Sequence, residues 1–469
     1  MTSLTFYGGV HEIGGNKVLL QDGDTKIFLD FGMSFGKRAE FFEEFLTPRT
    51  ANGIGDFLAM GLLPDIKGVY REDLLKHAGR AAEDTEIDAV LLSHGHADHT
   101  NYISFLHSDI PIYCGETTLR LLRAIEEQSS RTIENEVMNF KKRPLFRADY
   151  KKPPIERTFK TFRTGDKIKI GSLEIEPIHV DHSVPGAYGF IIHTSSGSII
   201  YSGDLRLHGN NPQMTRDFIN KAKESEPVAM MCEGTRIKEV EDKTTENDVY
   251  EKGKKLLDNK GLSIIDFNFK DVDRFKTFFK IAKELDKKMV ISFKHACYLD
   301  QYSTDEKLKV PHCCGDDNIL IFKPKVATGT YDDSDYTDEY IKCRLHHPNV
   351  VKADEIDKNC MIVLNFWYFN TLIDIKPEKG SLYMHSLSEP FSEEMEISFK
   401  RMKNWLDYFG MNLVQNHCSG HATGLDIKEM VKEINPKVLF PIHTEFPGVF
   451  RRFGVKNKLV KYGKEYKIM

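Results

Sequence analysis

Four metal-ligating side chains fall within six residues in the run His94-Gly95-His96-Ala97-Asp98-His99. Imidazole nitrogens and carboxylate oxygens are the donors that zinc, manganese and similar divalent ions take from proteins. The spacing lets His94 and His96 address one ion while Asp98 and His99 face a neighbouring one. A chance run of four such groups after an apolar strand is rare, so a solvated histidine-rich loop is the weaker reading. One run does not close two coordination shells. Further donors stand at other strand ends: His182 in Asp181-His182-Ser183, Asp204 in Ser202-Gly203-Asp204 and His443 in Pro441-Ile442-His443. Each is weak alone. Together they complete two sites, with Asp204 able to bridge both ions through its two oxygens. The chemistry this set predicts is metal-dependent hydrolysis.

These donors need strands to deliver them. Apolar runs bounded by turn chemistry predict strands over Lys26–Phe31, Ile87–Leu92, Leu173–Val180 and Pro227–Cys232, and a hairpin over Gly189–Tyr201 turning at Ser195-Ser196-Gly197. Ser34–Ala81 carries little strand pattern and reads as an insertion covering one rim of a site. After about Thr235 strands alternate with helices. Helices are predicted over Glu246–Leu257, Asp271–Leu285 and Glu393–Phe409, and strands over Leu262–Phe267, Met289–Phe293, Cys360–Phe369 and Ser381–Leu387. That alternation favours a parallel α/β sheet. A strand over Leu413–Asn416, a glycine turn with His421, a helix over Leu425–Ile434 and a strand over Val438–Ile442 complete the pattern.

The chain has 469 residues, enough for two or three cores. No stretch approaches the ~20 apolar residues of a membrane span, and the first residues do not read as a secretory signal, so no membrane partner and a cytoplasmic address are expected. The net charge of −5 argues against coating nucleic acid by bulk charge. It leaves room for local basic stretches: Lys141, Lys142, Arg143, Arg147, Lys151 and Lys152 make one, Arg451 and Arg452 another, and each alone reads as a solvated face. The eight cysteines are few and scattered and read as reduced thiols. His312-Cys313-Cys314, with Cys343, His346 and His347 further on, invites a zinc-knuckle reading. Adjacent cysteines do not easily reach one tetrahedral ion, and no CxxC is present, so incidental thiols are the expectation.

With the HxHxDH run followed in order by His182 and Asp204, the chain resembles the metallo-β-lactamase superfamily along its whole length. It is most similar to the β-CASP nucleases of the ribonuclease J-like group. Gly8-Gly9, Glu12-Ile13-Gly14-Gly15-Asn16, Asp30-Phe31-Gly32 and Asp181-His182-Ser183-Val184-Pro185-Gly186-Ala187 carry that likeness. Three markers of the branch are matched by Glu233 in Cys232-Glu233-Gly234-Thr235, by His421 in Ser419-Gly420-His421-Ala422, and by His443. DNA-processing members typically carry valine at the last position, so His443 points to the RNA-processing side.

The resemblance implies an α/β fold: a four-layer αβ/βα sandwich with metals at one edge of its two sheets, interrupted by a β-CASP α/β domain. The first domain would cover residues 1–236, the insertion 237–411 and the returning segment 412–469. It implies a two-metal ribonuclease acting on single-stranded RNA as a 5′-3′ exonuclease, an endonuclease or both. The ions would be zinc, with manganese as the alternative, and the protein a homodimer. His94, His96 and His182 would hold one ion, Asp98, His99 and His443 the other, and Asp204 both. Asp98 would also orient the nucleophile. Asp30 would accept a hydrogen bond from a ligand histidine, with a turn-capping aspartate as the alternative. His421 would contact the scissile phosphate or protonate the leaving oxygen, and Glu233 would keep it charged. Ser419 and the backbone of Gly420 and Ala422 would receive phosphate oxygens. Two competing readings remain: a lactone or thioester hydrolase of the same fold, and a DNA nuclease of the same branch.

Overall fold

The computed structural model describes residues 1–468 apart from 44, 131, 146–152, 240–243, 260 and 391–392. The chain divides into two units. The first comprises Met1–Leu207, Asn211–Asp242 and Gly420–Met469, the second His208–Asn210 and Lys243–Ser419.

The first unit is built on period-two alternation. In the strand Thr25–Leu29, Ile27 and Leu29 enter one core while Phe28, between them, enters another. In Gly197–Tyr201 the same alternation sends Ile199 and Tyr201 inward and Ile200 outward. Two sheets therefore meet face to face. One has seven strands in the order Glu465–Ile468, Thr2–Phe6, Val18–Asp22, Thr25–Leu29, Ala89–Leu91, Ile112–Gly115, Phe159–Phe162. The other has six, in the order Leu439–Pro441, Ala229–Cys232, Gly197–Tyr201, Tyr188–Thr194, Leu173–His179, Ile168–Ile170. The inner core joins Leu4, Val18 and Leu91 of the first sheet to Phe190, Met231 and Phe440 of the second. Outside the second sheet, Phe218 and Ile219 of helix Pro212–Glu224 and Ile427 and Val431 of helix Gly424–Ile434 cover Ile200 and Met230. Outside the first, the segment predicted to lack strands forms short helices, and its Phe57 and Leu74 join Val90 and Ile112. The result is the four-layer sandwich.

The second unit carries one seven-stranded, wholly parallel sheet ordered Val350–Val351, Ile319–Phe322, Lys288–Ser292, Cys360–Val363, Ser263–Asp266, Leu382–His385, Asn412–Gln415. Its strands read as continuous apolar runs because helices cover a parallel sheet.

Two expectations change. The strand expected over Cys360–Phe369 ends at Val363, because Asn365 accepts the Trp367 amide and starts a 3-10 helix over Phe366–Thr371. The return to the first unit, expected at 412, comes at Gly420, because Asn412–Gln415 pairs in parallel with Leu382–His385. In the first basic stretch, Arg143 is spent on Glu136 at 2.7 Å and Lys142 lies 3.4 Å from Glu72, while Arg147, Lys151 and Lys152 lie outside the described residues. No described helix is long and apolar enough to cross a membrane.

Candidate metal centre

The strand Ala89–Leu91 delivers His94 just beyond its end, and the one-turn helix Ala97–Thr100 follows with His96 as its N-cap. Strand exit and helical turn fold the run back on itself. Gly32 makes room for that turn: a Cβ there would sit 1.7 Å from the Asp98 carbonyl oxygen. His182 follows Leu173–His179, Asp204 follows Gly197–Tyr201, Glu233 follows Ala229–Cys232 and His443 follows Leu439–Pro441. Asp30 and His443 both stand in the left-handed region, with φ of 57° and 50°, where backbone strain is usual at functional positions.

The predicted ligands converge. The donor atoms of His94, His96 and His182 lie within 4.8 Å of one another, as do those of Asp98, His99 and His443. Asp204 Oδ2 lies between them, 3.1 Å from His99 Nε2 and 3.7 Å from both His94 Nε2 and His443 Nε2.

Four of the five imidazoles are turned by a partner outside the ring of donors. His99 donates its Nδ1–H to Asp30 Oδ2 at 2.7 Å. Ser93 donates to Asp30 Oδ2 at 2.7 Å and so receives the His94 Nδ1–H at 3.0 Å. The Gly420 carbonyl receives His182 Nδ1–H at 2.7 Å, and Thr235 Oγ1 receives His443 Nδ1–H at 2.8 Å. These bonds leave Nε2 lone pairs aimed inward, the arrangement that ligand histidines need. Asp30 is itself held by the Tyr201 hydroxyl at 2.6 Å.

The set fits divalent ions on its own geometry. His94 Nε2 and His182 Nε2 both lie 3.1 Å from His96 Nδ1, and one hydrogen there can serve only one of them. His99 Nε2 faces Asp204 Oδ2 at 3.1 Å without forming a hydrogen bond, and the buried Asp204 Oδ1 has no hydrogen-bond partner. Cations relieve both arrangements. Burial, with the neighbouring His99, drives the His94 cation well below its usual range, and burial with His96 does the same to His182, keeping both in the neutral form that ligates. Burial opposes the Asp98 and Asp204 charges, but His99 and His443 outweigh it and hold both carboxyls below their usual range.

Beside this set lies an acid pair. His421 Nδ1 is 3.1 Å from Glu233 Oε2 and 3.9 Å from Asp204 Oδ2. Glu233 is buried and fixed by the Leu205 amide at 2.9 Å. Burial disfavours the His421 cation, yet Glu233, with Asp204 and Asp98 beyond it, overcomes that and pushes the imidazole up to about 9. One part of the Ser419–Ala422 expectation changes. The Ala422 amide donates to the Leu205 carbonyl at 2.7 Å and is spent there. Ser419 belongs to the second unit, where its carbonyl accepts from His208 Nε2 at 2.9 Å.

Sequence reasoning missed Ser93, Thr235, Tyr201 and Asn16, whose side-chain amide lies 3.4 Å from the Tyr201 hydroxyl. Adjacency was the available signal, since Ser93 precedes His94 and Thr235 follows Glu233-Gly234.

Residues 64–223 match the β-lactamase superfamily domain, and residues 411–449 match a Zn-dependent metallo-hydrolase RNA specificity domain. Fold and site define a metal-dependent hydrolase, similar to the metallo-β-lactamase superfamily. It is 22% identical to ribonuclease J of Pyrococcus abyssi over 95% of this chain and 90% of that one. It is also 22% identical to ribonuclease J of Mycoplasma genitalium, over 95% of this chain and 68% of that one. A crystal structure of a protein of unknown function from Enterococcus faecalis V583 superposes with a TM-score of 0.74 at 25% identity, covering 99% of each chain. Its likeness to these relatives and to the RNA specificity domain is that of a ribonuclease J-like metallo-hydrolase.

Proposed function

We propose that this protein is a ribonuclease that hydrolyses phosphodiester bonds of single-stranded RNA. The observation that carries the reading is the His421–Glu233 pair, 3.1 Å apart and adjoining Asp204, because cleaving a phosphodiester needs a proton donor beside the charge-neutralising groups. The match of residues 411–449, which hold both His421 and His443, to an RNA specificity domain supports RNA over small esters.

His94, His96 and His182 would hold one divalent ion and Asp98, His99 and His443 the other, with Asp204 serving both; zinc is the proposed metal and manganese the alternative. When bound, such a pair supplies an activated water and neutralises charge on the phosphate. The chain's residues supply the rest. Asp30 holds His99, and through Ser93 also His94, in the ligating tautomer. Glu233 accepts the His421 Nδ1–H and favours the charged ring. His421 gives its other proton, on Nε2, to the leaving oxygen, or binds a phosphate oxygen as a cation. Gly420 acts through its carbonyl, on His182.

End-labelled single-stranded RNA with a 5′ monophosphate, triphosphate or hydroxyl, with single-stranded DNA alongside, tests the reading. Cleavage of RNA in zinc or manganese is expected. Mononucleotides from the labelled end identify the exonuclease, and internal fragments the endonuclease. Faster cleavage of DNA, or no cleavage of either, rejects the ribonuclease.

A further inference from the structure

The second unit holds another group of ligating atoms. His312 to Gly315 form a β-turn closed by the Gly315 amide on the His312 carbonyl at 2.9 Å, with Cys313 and Cys314 at its two central positions. There the two side chains converge instead of diverging, and their sulfurs lie 3.5 Å apart. Two thiolates each about 2.3 Å from one tetrahedral ion are separated by roughly 3.8 Å, so a small adjustment closes a chelate. A donor atom of His312 lies within 4.8 Å of both sulfurs. His312 Nε2 is 3.2 Å from Asp300 Oδ1, and its Nδ1 accepts the Cys314 amide at 3.2 Å, a bond that opens when Nδ1 ligates an ion. Asp300 is anchored by the Tyr340 hydroxyl at 2.6 Å and by Arg344 at 2.7 Å. Charge also balances: two thiolates neutralise a divalent ion, and Arg344 neutralises Asp300.

We propose that His312, Cys313 and Cys314 form a binding site for a thiophilic divalent cation such as zinc, with Asp300 orienting His312. Cys313 is buried, Cys314 half-buried and His312 exposed, so the ion has a route in from solvent. Burial, reinforced by Asp300, pushes the Cys313 thiol up, so loading releases a proton and strengthens as pH rises.

Cobalt(II) titration of the metal-stripped full chain tests the site. Thiolate-to-cobalt charge transfer absorbs in the near ultraviolet, whereas an imidazole–carboxylate centre gives no such band. The wild-type chain is expected to show the band. Asp204→Ala and Cys343→Ser are expected to keep it. Cys313→Ser/Cys314→Ser is expected to lose it, together with one equivalent of metal by mass spectrometry. Cys314→Ser alone, at a position with room to spare, is expected to weaken cobalt binding at least tenfold with an unchanged Tm. Zinc is also expected to protect Cys314 from iodoacetamide in the wild-type chain. Absence of the band from the wild type, its survival in the double variant or its loss in Cys343→Ser would overturn the proposal.

Discussion

The imidazole–carboxylate centre of the first unit and the thiol turn of the second draw on the same inventory of ligand chemistry and assemble it in opposite ways. The first collects its donors from residues 94 to 443, four of them beyond the strand Ala89–Leu91 and one beyond each of three other strands. The second takes three consecutive residues from one turn. Ligands that arrive separately must each be aimed, and four of the five histidines of the first centre carry an Nδ1 partner for that purpose. In the turn, the backbone does most of the aiming, and one carboxylate, Asp300, stands behind both His312 and Cys313. A distributed centre therefore gains a fixed geometry at the expense of many supporting contacts, and a local one gains economy.

The sharpest way to break that contrast is Asp204→Ala. It is expected to release metal from the distributed centre and lower RNA cleavage by more than roughly 10³-fold, since the ions account for much of the acceleration. Metal analysis beside a nuclease assay checks both. His421→Ala is expected to separate chemistry from assembly: cleavage falls about 10²–10⁴-fold while metal content holds. Unchanged cleavage would remove His421 from its role. Asp30→Asn keeps a residue that accepts the left-handed backbone but loses the carboxylate, and is expected to weaken metal affinity about 10–100-fold with the fold intact, as read by competition with a chelator. Aiming by supporting contacts would be refuted by unaltered affinity.

A smaller effect concerns the floor beneath the centre. Lys17 is buried, donates to the Gly15 carbonyl at 3.0 Å and lies 5.2 Å from the Tyr102 ring centroid. Burial, partly countered by Glu12, pushes its ammonium down to about 7. The folded chain thus binds this proton less tightly than the unfolded one, and stability rises as pH climbs from about 7 toward the ordinary lysine range near ~10.4. Lys17→Met is expected to remove that slope and raise Tm by roughly 2–4 °C at pH 6.5, with less gain at pH 9. Thermal melts across that range decide it, and parallel slopes in the two proteins would count against it. The smallest effect sharpens the contrast from the other side: Cys314→Ser is expected to leave RNA cleavage unchanged while altering cobalt binding.

Much of the first unit was legible in the sequence because period-two alternation marks strands and turn residues mark their ends. Ile27, Phe28 and Leu29 announce a strand covered on both faces, and Asp30-Phe31-Gly32 announces its exit. The proposed ligands were legible as rare residue types at strand ends. Their supports were not: serine at 93, threonine at 235 and tyrosine at 201 are ordinary residues whose roles come from distant pairing. Cys360–Phe369 misled because aromatic residues suit a strand as well as a 3-10 turn, and one side-chain bond from Asn365 decided between them. The packing of the vicinal cysteines was hidden for a related reason, their sulfurs lying 3.5 Å apart. Divergence of neighbouring side chains holds for extended backbone and fails at the centre of a turn.

The position of His443 sets an order of events during synthesis. A ribosome releases the chain from its N-terminus, so the His94–His99 run, His182 and Asp204 emerge first, and the whole second unit follows before the last proposed ligand appears. The strand Thr2–Phe6 likewise waits for Glu465–Ile468 to pair along its edge. The proposed centre is therefore incomplete until the whole second unit has been made.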